Sequence, residues 1–293
     1  MKKILTWSLI LIFTLVFPMT ALADGEDSPQ GDIVVSLGGD LTDKQQNQML
    51  DLFGVERDEV KVLKVSIDEE RKYLGGLIAD DVIGKRTISS AYVEPLGNGE
   101  GIEVLTHNIT WVTREMYANA LVTAGVENAK VIAAAPFKVS GTGALTGIMK
   151  AFEEAAGKDL SEEAKQTANE ELVTTGELGD TIGKDEAAAL IKEIKEQIAE
   201  LKTKDEGEIR KIIIEISGNL NINLTQEEVD KLVELMKKIS NLDLNVDKIA
   251  GQIEKITGNL DNIKETISEN KGLIKKILEA IEKFFAWVRG LLG

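Results

Sequence analysis

The chain offers few residues with which to do chemistry. It has no cysteine, which excludes disulfides, thiolate nucleophiles, iron–sulfur clusters and Cys-ligated zinc. Its one histidine, His107, excludes a metal site with two or three His ligands inside one chain. What remains is carboxylate, hydroxyl, amine and backbone chemistry. Five residues near the ends of expected strands could line a small-ligand pocket: Asp40, Tyr92, His107, Trp111 and Thr142. They can do so only if the fold brings them to one concave surface. His107 and Trp111 also suit purely structural places on and just beyond a strand. Nothing forms a nucleophile–base pair, so no catalytic residue, metal ligand or cofactor is assigned.

Several fragments imitate functional motifs and fail on a required residue. Gly141-Thr142-Gly143-Ala144-Leu145-Thr146-Gly147 opens an expected helix, where backbone amides can receive a phosphate. Its spacing is not the dinucleotide fingerprint, and no P-loop lysine follows. A tight turn with close helix packing is the plainer purpose. Asn219, Asn221, Asn223, Thr225, Glu227 and Asp230 fall at calcium-loop offsets, but Leu224 stands where that loop requires glycine. Asp80-Asp81 reads as a solvated turn, and Ser268-x-x-Lys271 lacks the companion motifs of a penicillin-binding site.

The elements that must position these residues fall into two regions. All four prolines lie at or before Pro136, and no aromatic residue occurs between Phe152 and Phe284. The first region, residues 32–172, alternates strand and helix signals. Strands are expected at 33–37, 60–67, 88–96, 102–110 and 129–135. Helices start at Thr42, with Gln45 completing a capping box, at Asp68 and at Thr113. Gly97-Asn98-Gly99-Glu100-Gly101 reads as a hairpin turn between the third and fourth strands. Residues 173–184 (VTTGELGDTIGK) read as a linker. The fold class is α+β: a small mixed sheet covered by helices, then an all-helical region.

That second region, 185–293, carries apolar residues in steps of three and four. They run through Ala187, Ile191, Ile194 and Ile198, then Ile209, Ile213 and Ile216, then Val229, Leu232, Met236 and Ile239. The seam continues from Val246 to Leu291, which favours a coiled coil or long packed helices. Thr225 and Glu228 form a second capping box.

The first residues read as an export signal. Lys2 and Lys3 precede the apolar run Ile4–Phe17, Pro18 breaks it, and Ala21-Leu22-Ala23 supplies a cleavage site. The run spans 14 residues, short of the roughly 20 needed to cross a bilayer. Cleavage after Ala23 gives an extracytoplasmic chain, secreted or envelope-associated, with an acidic leader at 24–31 that is expected to lack fixed structure.

The whole chain has 34 basic and 50 acidic residues, a formal charge of −16, which disfavours nucleic-acid binding. Residues 24–184 carry −14 and 185–293 only −4, while 271–293 has five bases against two acids. Over 271–292 the apolar residues gather on one helical face, ending in Phe284, Phe285 and Trp287, with Lys275, Lys276, Lys283 and Arg289 among its bases. Such an amphipathic helix can lie on a membrane, pack inside the chain, or join a second copy as a homo-oligomer.

The stretch Leu105–Gly157 (LTHNITWVTREMYANALVTAGVENAKVIAAAPFKVSGTGALTGIMKAFEEAAG) resembles the signature of the YpuA-like secreted proteins, a domain of unknown function (DUF 1002). Val34-Val35-Ser36-Leu37-Gly38, then Asp40-Leu41-Thr42, and later Leu224-Thr225-Gln226 fit the same pattern. The resemblance implies a secreted or envelope-associated protein and transfers no catalytic residue. Together these readings favour a non-enzymatic exported protein that binds a protein partner or envelope component. The competing reading is a small-ligand binder or enzyme centred on the α/β region.

Overall fold

Local chemistry sets most of the element boundaries. In the computed structural model, which describes residues 31–242, the order is β1 (Val34–Gly38), α1 (Asp43–Phe53), β2 (Lys61–Val65), α2 (Ile67–Leu74), α3 (Asp80–Ile83), β3 (Ser90–Pro95), β4 (Ile102–Ile109), α4 (Arg114–Ala124), β5 (Ala129–Val139), α5 (Ala144–Ala156), α6 (Glu162–Ile182), α7 (Lys184–Leu201), α8 (Glu206–Asn219) and α9 (Gln226–Asn241). Thr42 with Gln45, Ser66 with Glu69 and Thr225 with Glu228 form reciprocal capping boxes that start α1, α2 and α9. Gly54, Gly125 and Gly157 end α1, α4 and α5 in the left-handed conformation.

The five strands make one mixed sheet in the order β2-β1-β3-β5-β4. The β1–β2 and β4–β5 pairs are parallel; β3 runs antiparallel to both β1 and β5. The expected hairpin between β3 and β4 does not form, because β5 lies between them. Ala129, Ala133, Ala134 and Ala135 of β5 are buried, as a central strand covered on both faces requires. The glycine-rich loop is tied to the turn before β5: Leu96 N–H donates to Asn128 O, and Gly99 and Gly101 N–H donate to Asn128 Oδ1.

The two sheet faces are covered unequally. Val34, Ala91, Val93, Val104 and Val131 pack with α4, α5 and parts of α6 and α7 in the larger core. The opposite face, with Val35, Leu37 and Tyr92, packs with Met49, Leu50 and Phe53 of α1.

Residues 173–182 are the second half of α6, not a linker. The glycines that suggest a loop serve close packing instead. A side chain at Gly176 would collide with the Trp111 indole, and one at Gly179 would meet the Lys184 stem. The helix stops at Gly183, whose φ is +106°.

The described part of the apolar seam does not form a continuous coiled coil. Lys202, at φ +51°, and the stretch after Asn219 break it into α7, α8 and α9. The seam residues Ala187, Ile191, Ile194, Ile198, Ile209, Ile213, Ile216, Val229, Leu232, Met236 and Ile239 then share one core with Leu178 of α6. A seam spaced for superhelix contact serves equally as the inward stripe of short helices folded back on each other. The rest of it, Val246–Leu291, lies outside the described residues, as do the export segment and the amphipathic stretch 271–292 with Phe284, Phe285, Trp287, Lys275, Lys276, Lys283 and Arg289.

One buried ion pair joins the sheet region to the helical region. The Lys195 ammonium (α7) donates to Asn119 O at 2.8 Å and Thr123 Oγ1 at 2.7 Å on α4, and to Glu171 Oε1 at 2.9 Å on α6. Thr123 Oγ1 donates onward to Glu171 Oε2 at 2.5 Å, and Asn119 Nδ2 to Ala188 O at 3.0 Å. The side chains of Lys195 and Glu171 are 1% and 0% exposed. Burial pulls the Lys195 ammonium below its usual pKa, and Glu171 opposes that shift. Removing one partner leaves a buried charge unpaired, so Lys195→Met should lower unfolding free energy by about 3–5 kcal/mol in urea titration. The double variant Glu171→Met, Lys195→Met should recover most of that loss.

Candidate functional site

A second polar cluster forms a corner where the C-terminal end of β1 meets the first turn of α5. The corner depends on glycine. Gly38 follows Leu37 so closely beneath the 87–88 backbone that no Cβ fits, and Gly39 N–H donates to Val65 O at 2.8 Å. Asp40 then exchanges two hydrogen bonds with Thr87. Its own N–H donates to Thr87 O at 3.2 Å, and its Oδ2 accepts from Thr87 N–H at 2.8 Å. On the other side α5 is pressed in by two glycines one turn apart. A Cβ at Gly143 would collide with the Glu70 carboxyl, and a Cβ at Gly147 would lie 2.6 Å from Ser36 Oγ. The G-x-G-x-x-x-G run is therefore a close-packing device, as its spacing suggests.

Glu70 is the unusual group here. It projects from α2 and is 4% exposed. Burial raises its pKa from 4.5 to about 7, and the charges of Asp40 and Glu69 add to the rise. Its neighbours on α2 behave differently. Glu69 accepts from Lys150 Nζ at 2.5 Å, and Lys72 donates to Glu162 at 2.5 Å. Tyr117 closes the corner from α4; its hydroxyl donates to Gly141 O at 2.5 Å. Burial, and then Glu70, push that phenol well above its usual pKa. The hydroxyls of Ser36, Thr87 and Thr146 are buried without a hydrogen-bond partner.

The five residues singled out from sequence lie in three places. Asp40 and Thr142 flank this corner; Thr142 is buried, with its hydroxyl 3.4 Å from Ser140 Oγ. Tyr92 and His107 belong to the α1 face of the sheet. There the register aligns Val62, Val35, Tyr92, Ile132 and Leu105 in one row across all five strands. His107 pairs with Ala134 in the neighbouring row and is exposed. The Tyr92 ring lies 6.0 Å from Phe53, and its hydroxyl donates to Glu94 Oε2 at 2.8 Å. Trp111 sits apart on α6. Its indole covers Gly176 and donates to Asp180 at 3.2 Å, and the Lys184 ammonium stands 3.9 Å from the ring centroid. The five do not converge on one pocket.

Glu70 and Thr87, which complete the corner, are not among those five. Glu70 had a legible signal: it lies three residues after Ile67 and four before Leu74, on the apolar stripe of α2. Two members of the calcium-like run are engaged elsewhere: the Thr225 hydroxyl donates to Glu228 Oε2 at 2.8 Å, and Asp230 Oδ1 accepts from Arg210 at 2.6 Å. Among the described residues no three His, Cys, Asp or Glu side chains gather closely enough to hold a metal ion.

Residues 37–256 match the family described as "Protein of unknown function (DUF1002)", and the chain belongs to that family. It is 41% identical over 281 residues to the protein described as "Uncharacterized protein YpuA" of Bacillus subtilis (strain 168), covering 95% of each chain. No solved structure matches.

The corner fixes a pH dependence with a definite sign. A carboxyl whose folded pKa is raised binds more protons folded than unfolded, so stability is greatest below about 4.5 and falls until about 7. The span corresponds to about 3 kcal/mol. Urea unfolding at pH 5 and pH 8 should show a loss of that order after the contribution of the other acids is subtracted. Glu70→Gln should remove it, and an unchanged difference in that variant would contradict the assignment.

Proposed function

We propose that the protein acts outside the cytoplasm as a non-catalytic binding protein, and that it contacts a protein or envelope component through the half-covered face of its sheet. The observation that carries this reading is the uneven coverage of the sheet. An 11-residue helix, α1, is the main cover of a face that spans five strands. It covers the centre of the apolar row and leaves Leu105, Ile132 and Val62 only half-buried. Phe137, between Ala135 and Val139 of the same core, is 43% exposed. Apolar side chains left open beside an exposed His107 are the usual makings of a contact surface. Glu103, Lys130 and Glu94, aligned in the next row, give that surface a charged border.

The export signature at 1–23 supports the extracytoplasmic address, and the basic amphipathic segment 271–292 supplies a means of holding the protein at an anionic membrane surface. No helix among the described residues is long and apolar enough to cross a membrane. The second reading, chemistry at the Asp40–Glu70 corner, draws support from a buried carboxyl that titrates near neutrality. Against it, the Glu70 carboxyl is closed in beneath Gly143.

Expression of the full chain in a secreting bacterial host should yield a product that begins at Asp24 in the envelope or medium fraction. An intact Met1 product confined to the cytosol would overturn the export reading. The mature protein should co-sediment with isolated envelope material, and Leu105→Asp should weaken this at least tenfold without changing the melting temperature. Retention that survives Leu105→Asp and is lost on removing residues 271–293 would move the contact to that segment.

A further inference from the structure

We propose that residues 67–84, which carry α2 and α3, form a flap held down by the proton on Glu70: the flap is closed while the Glu70 carboxyl is neutral and loosens when it ionises. The inference is independent of the binding reading.

The argument begins with what surrounds that carboxyl. From α5 it meets the Gly143 backbone, pressed so close that a Cβ has no room. From the β1–α1 loop it faces Asp40, from the segment before β3 the Thr87 hydroxyl, from α4 Tyr117, and from its own helix Glu69. No cation is among these groups. Three lysines near the segment are engaged elsewhere. Lys150 donates to Glu69 and to Lys64 O, while Lys72 and Lys165 both pair with Glu162 on α6. Glu171, the other deeply buried glutamate, has Lys195 in contact. A carboxyl enclosed by two other acids, a phenol and a hydroxyl is tolerated when neutral and strongly disfavoured when charged.

The segment that carries it is anchored by a small core. Its apolar anchor is a small cluster of Leu74, Ile83 and Val173, with Ile67, Leu77 and Ile78 only partly buried. The other ties are surface contacts: Lys72 and Tyr73 to Glu162, Gln166 Nε2 to Tyr73 O at 3.2 Å, and Lys150 to Glu69 at 2.5 Å. Exposed ion pairs of this kind contribute little. Gly76 and Gly84 both have φ of +82° with open space around them, so the chain can swing at the middle and at the far end of the flap. Small apolar cores with solvent-exposed ties are the units that open first. Charging Glu70 therefore acts where the fold has little to oppose it.

Hydrogen–deuterium exchange on the mature protein tests this, with rates corrected for the intrinsic pH dependence of exchange. Peptides within 67–84 should lose at least tenfold in protection between pH 5.5 and pH 8.5, while peptides from β5 and α7 keep theirs. Glu70→Gln should hold the flap protected at pH 8.5. Protection of 67–84 that does not change with pH overturns the proposal, as does a loss that persists unchanged in Glu70→Gln. If that variant fails to fold, carboxyl carbon NMR on the wild type decides. Glu70 should titrate with the same midpoint as the loss of protection, and a midpoint in the ordinary carboxylate range overturns the latch.

Discussion

The Lys195–Glu171 pair is the constraint on which the arrangement of the two regions depends. An ammonium with no access to water must place its three N–H donors on acceptors, and here they come from two helices besides its own. Remove α4 and two acceptors are lost; remove α6 and the countercharge is lost. The sheet region, through α4, and the helical region, through α7, are therefore fixed to each other at a definite rotation. Ala168, Leu172 and Ala188 extend the sheet-side core across the same boundary. What reads as two regions in composition is one packed unit across α4, α6 and α7.

Close approach by glycine is the second theme, and it explains why turn-like sequence appears inside helices. Gly143 and Gly147 bring α5 down onto Glu70 and Ser36, and Gly176 admits the Trp111 indole to the surface of α6. Gly147 and Gly176, inside their helices, substitute intimate contact for helix propensity, at a cost of up to about 1 kcal/mol per residue relative to alanine. The two deeply buried glutamates show opposite solutions to the same problem. Glu171 is neutralised by a lysine, whereas Glu70 is accommodated by keeping its proton. That difference makes one corner of the fold sensitive to pH.

The strands and the capped helix starts were legible because they depend on neighbours a few residues away. Thr42 with Gln45 and Thr225 with Glu228 contain their whole mechanism in four residues. Strand partners were less so. The β3–β4 hairpin was a sound local inference from Gly97–Gly101, but a competing strand beyond α4 takes the place between them. The candidate site was half legible. Asp40 and Thr142 do lie at one corner, but Tyr92 and His107 go to the α1 face and Trp111 to α6. Glu70 and Lys195 left a trace, since each interrupts an apolar stripe: Glu70 between Ile67 and Leu74, Lys195 between Ile191 and Ile198. A charge on an apolar stripe is a question that the sequence poses and cannot answer.

By itself, then, the sequence determined periodicity, caps, the absence of thiol and multi-histidine chemistry, and family membership, because these follow from residue type and short spacing. The tertiary structure alone decided which strand lies beside which, whether a glycine breaks a helix or admits a neighbour, and whether a buried charge has a partner. Those outcomes depend on groups far apart in the chain, such as Thr123 with Glu171 and Glu70 with Gly143. Their energies come from desolvation and contact, which exist only once the chain has folded.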